Sequence, residues 1–114
     1  MAGKHQTEIN YKVVDNQNVV LSITFGDGQL GASAVLGAAV IVGEVKNFAV
    51  GKGNALRGNS IDIHSVLTDV NASTNRLSAD YDLTGGDHDQ TVALEATVDN
   101  EGDSDRFRVI VNFI

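Results

Sequence analysis

Three kinds of chemistry are suggested by residue type and spacing: an oxygen-rich pair of turns, a histidine among carboxylates, and a glycine triplet. The first is the sharpest. Asp69, Asn71 and Asn75 fall in "TDVNASTNR", and Asp99, Glu101, Asp103 and Asp105 in "VDNEGDSDR". Side-chain oxygens of this kind are what Ca²⁺ gathers, about six to eight at a time. Neither turn obeys the helical calcium-loop rule, which requires Gly at position 6 and Glu at position 12. Counted from Asp99 those positions hold Ser104 and Ile110, and counted from Asp69 the sixth is Thr74. The metal reading that survives is a two-loop Ca²⁺ site. Its rival is a pair of solvated turns, because Asp, Asn, Ser and Gly cap their own backbone. Asn71 also opens the sequon "NAS", which matters only along a eukaryotic secretory route.

The second constellation is built on His64. Aligning the apolar faces of neighbouring segments places His64 opposite Asp80 and Asp62 opposite Asp82, with Glu95 and Arg108 alongside. A histidine beside carboxylates can bind a metal or move a proton, which makes a small metal-dependent hydrolase the enzymatic reading. An open sheet face offers no enclosure from water, and catalysis needs one. The same residues read first as an ordinary solvated cross-strand polar ladder and second as a partner-binding face, which Ile110 and Ile114, in the outward phase of the last segment, would extend. No G-x-S-x-G elbow is present, and His5, His64 and His88 fall on a terminus, a strand and a turn, so no triad can be assembled.

The third is "ITFGDGQLGAS", where Gly26, Gly28 and Gly31 stand as G-x-G-x-x-G after an apolar run. A phosphate cradle needs a helix whose N-terminus faces the pyrophosphate inside a βαβ unit. The segment that follows, "ASAVLGAAVIVGEV", is rich in Val, and its Gly37 and Gly43 each weaken a helix by ~1 kcal/mol. It predicts a strand. Gly26, Asp27 and Gly28 then end the preceding strand, and no nucleotide cofactor is expected.

Composition narrows the partners. Eight Lys and Arg against 15 Asp and Glu give a net charge of -7, which repels phosphate backbones and anionic lipid heads. Neither nucleic acid nor membrane is an expected partner. Cysteine is absent, which removes disulfides, thiolate nucleophiles and zinc-thiolate sites. Aromatics are 5% with no Trp, which argues against a sugar-stacking platform. "MAGKHQTEINYK" lacks the apolar core of a secretory leader, and "ASAVLGAAVIVG" falls short of the ~20 residues a helical span needs. The reading is cytoplasmic, with a mature exported form as the alternative.

The elements that would carry these residues are strands. A chain of 114 residues fits one domain over 1–114. Period-2 alternation runs through most of it. "EINYKVV" and "VVLSITF", joined by "DNQN", predict a hairpin. Leu77, Ala79, Tyr81 and Leu83, then Val92, Leu94, Ala96 and Val98, then Phe107, Val109, Val111 and Phe113 form successive apolar faces after Ile61, Ile63 and Leu67. These four segments predict a C-terminal four-strand meander. Seven or eight strands in this length imply two packed sheets: an all-β, antiparallel β-sandwich, immunoglobulin-like or related in architecture, without the Cys–Trp–Cys signature. If the last strand is an edge, two copies can pair along it as a homodimer; otherwise the N-terminal segment covers it. The expected function is a non-enzymatic binding or assembly module acting through its loop ends or a polar sheet face. A calcium-binding sandwich and the His64 hydrolase are the rivals.

Overall fold

Alternating apolar side chains commit each segment to bury one face, and the computed structural model, which describes residues 4–26, 30–35, 39–68, 76–97 and 104–114, meets that demand with two sheets. Nine strands are described: β1 (Lys4–Tyr11), β2 (Asn18–Phe25), β3 (Leu30–Val35), β4 (Ala39–Val42), β5 (Val45–Lys52), β6 (Ser60–Thr68), β7 (Arg76–Thr84), β8 (Gln90–Thr97) and β9 (Ser104–Phe113). One helical turn, α1 (Gly53–Leu56), separates β5 from β6. The five-stranded sheet runs β1-β9-β6-β3-β4 and the four-stranded sheet β5-β2-β7-β8. The all-β sandwich follows.

The core lies between the sheets. Leu21 and Ile23 from β2, Leu77, Ala79, Tyr81 and Leu83 from β7, Ile63 and Leu67 from β6, and Phe107, Val109, Val111 and Phe113 from β9 are essentially without solvent contact. Within each set the spacing is two, with Ser65 filling the inward position between Ile63 and Leu67, so one face of each strand is sealed and the other is left to water.

Strand order departs from expectation in two places. β1 and β2 do not form a hairpin: β1 runs parallel to β9, with Ile9 beside Val111 and Tyr11 beside Phe113, while β2 lies in the other sheet between β5 and β7. The link crosses between the sheets, burying Val13, whose amide donates to the Ile114 carbonyl at 3.0 Å. Alternation fixes which side chains are buried, and β1 buries Ile9 and Tyr11 equally well from either sheet. The C-terminal meander is likewise divided. β6 pairs with β3 and β9, β7 pairs with β2 and β8, and only β7–β8 is a hairpin. Crossing a core ~10 Å thick is within reach of the seven positions 69–75, so a sheet change competes with a tight turn. β9 is therefore flanked on both sides, and the edge-to-edge dimer through it does not apply.

The glycine triplet resolves in the same way. Ala32, where a phosphate-binding helix would begin, lies in β3, antiparallel to both β4 and β6. Gly26 follows β2 and Gly28 lies outside the described residues. Gly31 has a packing reason: a Cβ there would stand 2.8 Å from the Phe25 ring.

The β7–β8 turn docks on the end of β1. Gly86 N–H donates to the Tyr11 hydroxyl at 2.9 Å and Asp87 N–H to the Lys12 carbonyl at 2.9 Å. Gly85, at φ +89, could not carry a side chain there, because its Cβ would come within 1.9 Å of the Asn18 carbonyl oxygen.

Candidate functional site

The sandwich has two outer faces, and the residues expected on one polar strip are divided between them. His64, Arg108 and Ile110 stand on the outer face of the five-stranded sheet. Asp80 and Glu95 stand on the outer face of the four-stranded sheet, opposite Ala93 and Ser78 respectively. His64 is therefore not across from Asp80; its register partners are Arg108 and Ala34. Asp62 lies beside Ile110 rather than Asp82, and Asp82 accepts a hydrogen bond from Thr91 Oγ1 at 2.6 Å. Glu95 accepts from Arg76 at 3.0 Å. The like-charge opposition expected of Asp62 and Asp82 dissolves because β6 and β7 never pair. Ile114 follows β9 with 54% exposure, while its amide donates to the Tyr11 carbonyl at 3.0 Å.

On the five-stranded sheet a compact ion-pair group forms. Arg108 grips Asp62 with two donors, Nε to Oδ1 at 2.9 Å and a terminal nitrogen to Oδ2 at 2.5 Å. His64 Nε2 lies 3.0 Å from the same Oδ1. The Arg108 hydrogen bonds, reinforced by His64, hold the Asp62 carboxyl below its ordinary range. Fork geometry of this kind fixes the Arg108 head in one orientation.

Two residues along β9 from Arg108, on the same face, lies Arg106. Its guanidinium has no acidic partner among the described residues. Gln6 from β1, His64 and Val66 from β6, and Arg106 and Arg108 from β9 surround a depression of about 300 Å³, with Ser65 and Phe107, whose side chains are buried, completing its lining. The Asp62–Arg108 pair cancels its own charge. Among the described residues lining the depression, Arg106 is therefore the cation without an acidic partner, while Glu8 of β1 acts electrostatically on Arg108.

The apolar side of the same face is ordered by register. Arg106 pairs with Val66, Val66 with Ala32, and Ala32 with Val42 on the edge strand β4. Val66 is 44% exposed and Val42 is 86% exposed. One cross-strand row thus runs from a guanidinium to a solvent-facing valine. Sequence reasoning found Arg108 and missed Arg106, Val66 and Val42. The signal was available in "RFRVIVNF", where Arg106 shares the outward phase of Arg108 and Ile110.

The expected calcium set is only partly within the described residues. Asp69, Asn71, Asn75, Asp99, Glu101 and Asp103 lie outside them. Asp105 is buried at the start of β9 beside Leu67, and its Oδ1 accepts from the Arg106 amide at 2.7 Å. Of the positions that flank the two turns, Thr68 pairs with Ser104 and Arg76 with Thr97. Among the described residues no group of three or more His, Cys, Asp or Glu is placed to hold a metal.

A further polar cluster is structural. Tyr81 OH donates to Ser65 Oγ at 2.8 Å, and Ser65 Oγ lies 2.8 Å from Ser33 Oγ, a buried chain joining the two sheets across the core. Burial pushes the Tyr81 phenol up to about 12, against the Ser65 hydrogen bond that lowers it. Comparison of the chain with protein-family models, with curated proteins and with solved structures finds no match.

Proposed function

We propose that this chain is a non-enzymatic binding module whose working surface is the outer face of the five-stranded sheet. The observation that carries this reading is the continuity of that face: a depression lined by Arg106 and by the Asp62-paired Arg108 adjoins an exposed apolar row through Val66 to Val42. Exposed valines in line with an arginine that has no acidic partner among the described residues match the anatomy of an interface, where apolar area supplies affinity and Arg supplies orientation. The opposite outer face, with Asp80, Asp82, Glu95 and threonines, is polar and lacks an exposed large apolar side chain among the described residues.

Affinity capture from cells that make the protein distinguishes the faces. The double variant Val66→Ser/Arg106→Gln is expected to lose the captured partner, and Asp80→Asn/Glu95→Gln to retain it. Equal capture by both variants, or loss only with the second, contradicts the reading.

A further inference from the structure

The spacing along the outer face says what kind of partner fits it, an inference that rests on the docking reading above. We propose that the row from Arg106 to Val42 receives an extended segment of a partner protein that carries a carboxylate side chain four residues from a β-branched apolar one.

Charge selects the carboxylate. Asp62 already holds Arg108 through two hydrogen bonds, so among the described residues the depression presents one guanidinium without an acidic partner, at Arg106, and one negative oxygen pair is its complement. A polyanion is a poor match, because the chain as a whole carries -7 and repels it at long range. Gln6, at the rim, adds an amide that can donate to the same carboxylate.

Geometry selects the spacing. Arg106, Val66, Ala32 and Val42 occupy β9, β6, β3 and β4 in direct register, three strand steps in all. At roughly 4.8 Å per step the row is about 14 Å long. An extended chain advances about 3.4 Å per residue, so four residues cover the same distance and place alternate side chains on the sheet. The middle one of these, roughly 6.8 Å along, falls between Val66 and Ala32, where a small side chain fits beside the exposed valine. The last meets Val42, the most exposed large apolar residue described.

Three capped pentapeptides test this against the intact protein by amide chemical-shift titration: acetyl-Glu-Thr-Ala-Thr-Val-amide, its Gln counterpart and its Lys counterpart. The Glu peptide is expected to shift the amides of Val66, Arg106 and Val42 and to bind about tenfold tighter than the Gln peptide, with the Lys peptide weakest. In Arg106→Gln, Glu and Gln peptides are expected to bind alike. Equal binding of Glu and Gln peptides to the unsubstituted protein, or a Glu preference that survives Arg106→Gln, overturns the carboxylate assignment while leaving the docking face standing. Shifts confined to the four-stranded sheet, or no shift with any peptide, overturn this inference; the face itself is judged separately by capture with the paired variants.

Discussion

At the scale of single residues, two polar groups sit in opposite settings, Ser65 in the core and Asp62 on the outer face. Ser65 is the joint of a buried chain, and removing its hydroxyl strands both Tyr81 OH and Ser33 Oγ. Ser65→Ala is expected to cost about 1–3 kcal/mol, more than Tyr81→Phe, which leaves the two serines paired. Denaturant melts of both variants check the order. The Tyr81 phenol, raised to about 12 from an ordinary 10.0, favours the folded state fully below pH 10, and this contribution is lost as pH rises toward 12. Burial also raises Tyr11, the other tyrosine. Phenolate absorbance is therefore expected to appear only together with alkaline unfolding; ionisation at the ordinary value in a folded protein contradicts the buried placement. Asp62 has the opposite sign. Its carboxyl is lowered by Arg108, so its contribution is present above 3.8 and disappears as pH falls through the lowered value. Asp62→Asn is expected to cost ~0.5–1 kcal/mol at neutral pH and almost nothing in acid, read from paired melts.

At the scale of elements, the alternation made the buried faces legible and the partners illegible. Leu77 through Leu83 and Phe107 through Phe113 were readable as inward sets because a slip of one residue would turn them to water. That same property says nothing about which sheet a strand joins. For this reason β1 was expected beside β2 and is found parallel to β9, and β6 was expected beside β7 and is found between β3 and β9. Ser65, in phase with Ile63 and Leu67, was the one visible sign that the core holds a polar bridge. The β7–β8 turn supplies a test of its own packing against the start of β2. Gly85→Ala meets both a positive φ and the Asn18 carbonyl, whereas Gly58→Ala meets only the positive φ, with nothing within 4 Å. The second substitution is expected to cost ~1 kcal/mol and the first at least ~2 kcal/mol more. Equal losses in the melting midpoint contradict the close approach of the turn to the start of β2.

At the scale of the whole molecule, the sandwich separates residues that sequence reasoning had collected. His64 and Arg108 go to one outer face, Asp80 and Glu95 to the other, and the separation creates two surfaces of different character. The candidate site was half legible: its ion-pair members carry recognisable chemistry, but the valines that complete it look like any strand valine until the register exposes them. The central claim is that the protein meets its partner with the five-stranded sheet. Photo-crosslinking tests it most directly, with a benzophenone side chain placed at Val66 in one variant and at Ala93, on the outer face of the four-stranded sheet, in another. Partner adducts are expected from position 66 and none from position 93. Adducts from position 93 alone would contradict it.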